Sequence, residues 1–464
     1  MASLLWFRND LRIHDNPALS RFLSKSSATK KKAIWFLTPQ QWRFHDLANI
    51  KIDLIKRHVA LLSAQLASLN IDLEIIDTED FNTQANTLLE YCQQHNISTV
   101  YANSELEVNE VERDLLVSKH VQLKLSECDV IVAKGNVTKA DGEMFKVFTP
   151  FKKAWLSKLK MQGLDIDPTC HIPVDENNEH RMRALSQLNC DGSSNKWPEI
   201  DTVLTQVVPE FLQNKLASYH ALRDIPNVKG TSGLSPYLAI GALSPRYLMQ
   251  LILNRHPDIL TATDTAEFSW VNELIWRDFY RHLLFHFPNL CKRKNFNSKY
   301  DGLPWPNSDR FFKAWCQGRT GYPIVDAAMK QLITTGWMHN RLRMIVASFL
   351  TKHLLIDWRM GEKFFMENLI DGDLAANNGG WQWAAGTGCD AQPYFRIFNP
   401  ITQSQKFDPE GKFIRKYLPE LANIPSKEIH FPHQYIAANK LNVYWSAIVE
   451  HKAAREQALA FYKQ

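Results

Sequence analysis

Apolar residues follow two rhythms along the chain. Near the N-terminus they come in short runs, SLLWF (3–7), AIWFL (33–37), LEIID (73–77), TVYAN (99–103) and DVIVA (129–133), each of a length and apolarity that reads as a buried strand. Between the runs the spacing becomes helical, as in LIKRHVALLSAQLASL (54–69). Strands alternating with amphipathic helices predict an α/β domain over residues 1–134, built on a doubly wound, five-stranded parallel sheet. The turn after the first run, RNDLRIHDNPAL, has no GxGxxG, so the usual dinucleotide fingerprint is absent.

Over residues 135–214 the periodicity weakens and turn residues gather, in GLDIDPTCHIP, DENNEH and NCDGSSNKWPEID, which predicts a long, largely irregular interdomain linker. Over 215–464 strand-like runs almost vanish. FSWVNELIWRDFYRHLLFHF (268–287), IVDAAMKQLITTGW (324–337) and NRLRMIVASFLTKHLL (340–355) all repeat near 3.6 residues, predicting a larger, all-helical second domain.

Composition narrows the function classes. At 464 residues the chain exceeds one compact core, and 45% hydrophobic residues exclude disorder. Lys and Arg outnumber Asp and Glu by 54 to 49, which permits an anionic partner through a local patch without demanding one. Fourteen tryptophans suit either large cores or stacking on flat aromatic ligands. The cysteines at 92, 128, 170, 190, 291, 316 and 389 are odd in number and never spaced CxxC, which argues against a disulfide framework and a zinc site and for a reducing compartment. No segment offers about 18 uncharged apolar residues, so a soluble, cytosolic-type protein without a membrane partner is expected.

Several polar constellations interrupt the helical patterns. In WVNELIWRDFYRH, Glu273, Trp276, Arg277 and Tyr280 share one helix face, either as aromatic packing around a Glu273/Arg277 ion pair or as the wall of a pocket suited to a base or flavin. In HNRLRMIV, the residues Asn340, Arg341, Arg343 and Met344 stand among apolar neighbours. The arginines there need partners, for which Asp371 and Asp373 are candidates, and one is left for a phosphate. KGTSGLSPYL (229–238) has the composition of a phosphate cradle, and equally of an N-capping loop. CKRKNF (291–296) is a basic run, solvated by default. DGDLAANNGGWQWAAGTG (371–388) reads as a loop of small residues carrying two tryptophans and no nucleophile. The sequence leaves open whether Trp305, Trp358 and Trp381 form a chain or sit in separate cores, and separate cores is the favoured expectation.

Taken together, LLWFRNDLRIHDNPAL, KVFTPFKKAW, GTSGLSPYLAIGALSPR, WVNELIWRDFYRH, TGYPIVDAAMKQL, TGWMHNRLRMI, DWRMGEKFFMENLIDGDLAANNGGWQWAAGTG and PYFRIFNP resemble the DNA photolyase/cryptochrome family over nearly the whole chain. Within it the likeness is to bacterial-type class I enzymes acting on cyclobutane pyrimidine dimers. The resemblance implies an antenna domain at 1–134, a linker at 135–214 and a helical FAD- and DNA-binding domain at 215–464. It implies FAD held by Tyr219, Thr231, Ser232, Gly233, Leu234, Ser235, Trp270, Arg277, Asn340, Arg343, Asp371 and Asp373, with Arg343 paired to Asp371. Asn377 would face the reactive central-ring nitrogen, where an uncharged amide tunes the flavin without adding a fixed charge.

The implied reaction is light-driven: reduced FAD, excited directly or through an antenna, gives an electron to a flipped-out dimer, the ring opens and the electron returns. Trp276, Tyr280 and Trp383 would contact the extruded bases, Glu273 would hydrogen-bond them and stabilise the radical anion, and Met344 would pack below. Arg223, Asn340 and Arg341 would meet the DNA of an ultraviolet-damaged substrate. Trp305, Trp358 and Trp381 match a relay that reduces oxidised flavin, reversing the expectation of separate cores. His45, Asn109, Glu110, Cys291 and Lys292 match the positions that hold a methenyltetrahydrofolate antenna. Gly233 stands where some relatives carry an arginine, so a side-chain phosphate contact is lost there. A monomeric repair enzyme without a metal, cytoplasmic and nucleoid-associated, is expected. The alternative is a cryptochrome photoreceptor signalling through a protein partner.

Overall fold

The computed structural model describes residues 2–25, 31–167 and 171–463; Cys170 lies outside them. The chain divides into two compact units. The first comprises Met1–Ala217, Ser232–Cys291 and Ile370–Asp373, and the second Ser218–Thr231, Lys292–Leu369 and Leu374–Gln464.

In the first unit, β1 (Ala2–Trp6), β2 (Lys31–Leu37), β3 (Ile71–Asp77), β4 (Ile97–Asn103) and β5 (Gln122–Ser126) form one parallel sheet in the order β3-β2-β1-β4-β5. Its central strand pairs on both sides, Leu5 lying level with Ala33 and with Tyr101. Helices Pro17–Lys25, Asn49–Ala67, Phe81–Gln94 and Val108–Ser118 link the strands, as the doubly wound pattern requires. Four strands fall where the apolar runs place them. The fifth does not. DVIVA (129–133) is irregular, and the edge strand is the mostly exposed QLKLS. Two N–H groups at the middle of 129–133 have an acceptor other than a neighbouring strand. Ile131 and Val132 donate to the Asp278 carboxylate at 3.0 and 3.1 Å, and Trp155 Nε1 donates to it at 2.9 Å.

The segment 135–214 is not largely irregular either. Helix Phe148–Gln162 buries Phe148, Phe151, Trp155, Leu156 and Leu159 along one stripe, helix Glu179–Leu188 is capped by the Asn178 side chain, and helical backbone resumes at Ile200. Clusters of turn residues between these helices obscure them in the sequence.

The second unit is helical. Its core gathers Trp315, Leu342, Ile345, Phe349, Leu350, Trp358, Phe365 and Trp381, with Trp305 packed at its margin. DGDLAANNGGWQWAAGTG is not a loop: Leu374–Ala385 forms a helix, its alanines offsetting the cost of Gly379 and Gly380. Gly361, in helix Trp358–Asn368, lets this helix approach, since a Cβ there would overlap the Trp381 ring and lie 2.7 Å from Leu350. Among the described residues, no helix is long and apolar enough to cross a membrane.

Candidate active site

Helix Phe268–His286 of the first unit sets out the polar stripe. Its buried side carries Val271, Leu274, Ile275 and Phe279, while Glu273, Trp276, Arg277 and Tyr280 are only half-buried on the other. Phe148 stacks on Trp276 with centroids 3.6 Å apart and planes within 4°, and Tyr280 follows at 5.7 Å. Trp270 lies deeper, against Phe211 at 5.1 Å. Arg277 Nη2 binds the Asp129 carboxylate at 2.5 Å, and Arg281 Nε binds its other oxygen at 2.6 Å. Burial pushes the Asp129 carboxyl up, but Arg277, Arg281 and Lys134 outweigh it and hold that carboxyl below the ordinary range.

The segment 370–373 is gripped at three successive residues. Ser235 Oγ donates to Asp371 at 2.7 Å, Lys51 Nζ to the Gly372 carbonyl at 2.6 Å and Arg281 Nη2 to Asp373 at 2.5 Å. Ser232, Gly233 and Leu234 belong to this unit as well. Gly233 adopts φ +69° with open space where a Cβ would stand.

Four of the expected antenna residues also meet in the first unit. Asn109 Nδ2 lies 2.9 Å from His45 Nε2, and His45 Nδ1 lies 3.7 Å from Glu110. Burial pushes the Cys291 thiol up to about 12, reinforced by Glu107 and Glu110. Lys292 belongs to the second unit.

In the second unit, Arg223 covers the Tyr219 ring at 5.6 Å, and Arg341 pairs with Asp224 at 2.9 Å while lying over Phe407. Arg343 Nε donates to the Met338 carbonyl at 2.8 Å; Asn340 is exposed and Met344 and Thr231 are half-buried. Trp381 and Trp383 diverge by about 200° around their helix. Trp381 is buried beside Phe365 (4.9 Å) and Trp315 (6.0 Å), whereas Trp383 is half-buried near Phe398. Trp358 is fully buried, its Nε1 donating to Asn295 at 2.9 Å. Trp305 is half-buried against Phe461 (5.0 Å) and Tyr462 (6.0 Å).

Asn377 Nδ2 donates to the Glu362 carbonyl at 2.9 Å. A backbone carbonyl can only accept, so this contact assigns the amide nitrogen and turns the Asn377 Oδ1 acceptor away from it. One turn on, a Cβ at Gly380 would meet nothing within 4 Å. An outward acceptor beside open space suits a flat ring bearing an N–H, as a reduced flavin does, so these residues fit the expected FAD. Glu362, which the sequence does not single out, organises this edge: its carboxylate accepts from Asn378 at 2.8 Å, and Asn378 Oδ1 accepts from Gln382 at 2.8 Å.

Burial pushes the Glu362 carboxyl up to about 7 against the opposing hydrogen bond from Asn378. The folded protein then keeps a proton that the unfolded chain, with a value near 4.5, releases, so stability falls as pH rises between the two, by at most about 1.4 kcal/mol per unit. Glu362→Gln keeps the acceptor and removes the titration. Melting temperatures followed from about pH 5 to about pH 8 should show wild type declining relative to this variant; parallel profiles would show that the carboxyl ionises normally.

Residues 3–173 match the family model described as DNA photolyase, and residues 270–464 that of the FAD binding domain of DNA photolyase. The chain is 44% identical to the deoxyribodipyrimidine photo-lyase of Escherichia coli (strain K12) over 471 residues, 99% of this chain and 98% of that one. It is 45% identical to the protein of the same name from Vibrio cholerae over 475 residues, 99% of each. Among solved structures it resembles a bacterial class III photolyase from Agrobacterium tumefaciens, with TM-score 0.83 and 33% identity over 100% of this chain and 97% of the other. A Synechocystis cryptochrome matches at TM-score 0.83 and 27% identity over 99% of each, so the fold alone does not separate photolyase from cryptochrome.

Proposed function

The chain belongs to the DNA photolyase family and is a light-dependent DNA repair enzyme with the activity of a deoxyribodipyrimidine photo-lyase; from that premise we propose how its residues divide the work. The observation that carries the activity is the likeness to photo-lyases along essentially the whole chain, both units included. We retain the division into an antenna domain (1–134), a linker (135–214) and a FAD- and DNA-binding domain (215–464). Bound and reduced FAD supplies, on excitation, the electron that opens a cyclobutane pyrimidine dimer, and receives it back.

The remaining steps fall to the protein. Arg223, Arg341 and the exposed Asn340 hold the strand by its backbone, while the dimer leaves the stack. Phe148 stacks on the Trp276 indole and fixes its plane, and that indole stacks on an extruded base in this reading. Trp383, Tyr280 and Met344 complete the apolar walls. Glu273 offers carboxylate oxygens to the imide N–H groups of the pyrimidines, fixing their edges. Asn377 presents its carbonyl to the flavin N–H without adding charge. Tyr219, Thr231, Ser232, Gly233, Leu234, Ser235, Trp270, Arg277, Arg343, Asp371 and Asp373 hold the rest of the cofactor. Trp305, Trp358 and Trp381, all in or against one core, return electrons to an oxidised cofactor.

His45, Asn109, Glu110, Cys291 and Lys292 hold a methenyltetrahydrofolate antenna in this reading, and the protein works as a cytoplasmic, nucleoid-associated monomer. A cryptochrome role shares the fold, but the combination of Glu273, Trp276, Met344, Asn377 and Trp383 favours repair over signalling. Blue-light illumination of the flavin-loaded protein with ultraviolet-irradiated oligo(dT) should restore the absorbance of unmodified thymine. A folded, flavin-loaded protein that leaves the dimers intact under light would overturn dimer splitting.

A further inference from the structure

Lys51 sits where elementary electrostatics would not place a cation. It is the third residue of helix Asn49–Ala67, at the positive end of the helix dipole, and it is only 8% exposed. Its Nζ donates to the Gly372 carbonyl at 2.6 Å, and burial lowers its pKa while Asp373, Glu107 and Asp371 oppose that shift. Both the helix dipole and desolvation disfavour the charge. The compensating interactions all lie at the Asp371-Gly372-Asp373 turn or beside it.

We propose that Lys51 is a positioning residue for the flavin-facing turn: seated on the Gly372 carbonyl between two carboxylates, it fixes their direction from a helix of the α/β sheet. Ser235 and Arg281 hold the flanking residues by side-chain contacts, at Asp371 and Asp373. Lys51 alone among these three takes the backbone between them, so it controls the turn's orientation as well as its charge. Without the ammonium, a buried carbonyl loses its donor and the two carboxylates lose a shared counter-charge, and the turn relaxes. This inference rests on the reading of Asp371 and Asp373 as flavin-facing.

The test uses the holoenzyme and follows release of FAD on dilution by the recovery of its fluorescence, together with the absorption fine structure of the bound flavin. Lys51→Met should release FAD about tenfold faster or more and blur the fine structure, and Lys51→Arg should restore most of both. Asp371→Asn serves as the reference for the underlying reading. If Asp371→Asn loosens FAD and Lys51→Met does not, the role of Lys51 is overturned while the flavin site stands. If neither changes FAD release, the flavin-facing assignment of the turn fails and the inference with it. Should Lys51→Met fail to fold, Lys51→Gln keeps a neutral donor to Gly372. Wild-type FAD retention in that variant would overturn the role of the charge, and accelerated release would support it.

Discussion

Replacing Asp129 with alanine is expected to destabilise the first unit by about 3–5 kcal/mol, because the change leaves two guanidinium groups without their shared counter-ion in a buried setting. The side chains of Arg277 and Arg281 are 11% and 6% exposed, and both bind this one carboxylate. Arg281 keeps Asp373, so the larger part of the loss falls on Arg277. Calorimetry should record a fall in melting temperature on the order of 10 °C. The stabilisation is present at neutral pH and is lost as pH falls below the ordinary aspartate value of 3.8, since the folded carboxyl titrates lower than the unfolded one. A fall under about 1 kcal/mol would show that the arginines find other partners or water.

The second large effect concerns electron supply. Trp381→Phe should reduce photoreduction of oxidised flavin by more than an order of magnitude, yet leave dimer splitting by chemically pre-reduced enzyme close to wild type. Phenylalanine fills most of the same volume beside Phe365 and opposite Gly361, so the helix should keep its place, but its ring is far harder to oxidise than an indole. Photoreduction at the wild-type rate would show that electrons bypass Trp381. Loss of repair in the pre-reduced enzyme would show that the ring serves the site by shape.

Four strands and the long helices are legible in the sequence because their apolar residues repeat with the period of the element that buries them. The fifth strand is hidden because an edge strand such as QLKLS buries little, while DVIVA is buried without joining the sheet. Two of its backbone N–H groups, those of Ile131 and Val132, are met by Asp278, 147 positions from Ile131. The stripe Glu273, Trp276, Arg277 and Tyr280 stands out because polar groups on one helix face are conspicuous. The residues that hold the separate parts of the candidate site are not. Lys51, Asp129 and Glu362 look like ordinary charges on amphipathic segments, and their burial arises from long-range contacts, 321 positions in the case of Lys51 and Gly372. A lysine in the first turn of a helix is the one local signal that could have singled out Lys51.

The two tryptophans of helix Leu374–Ala385 point almost opposite ways, one into the dry core and one toward the accessible side. On the proposed assignment of these two side chains, a single helix thereby separates fuel supply from cargo recognition. If that assignment holds, variation on the Trp383 side would retune which lesion is accepted without touching the wiring behind Trp381, and the helix would give selection, or a protein engineer, two dials that turn independently.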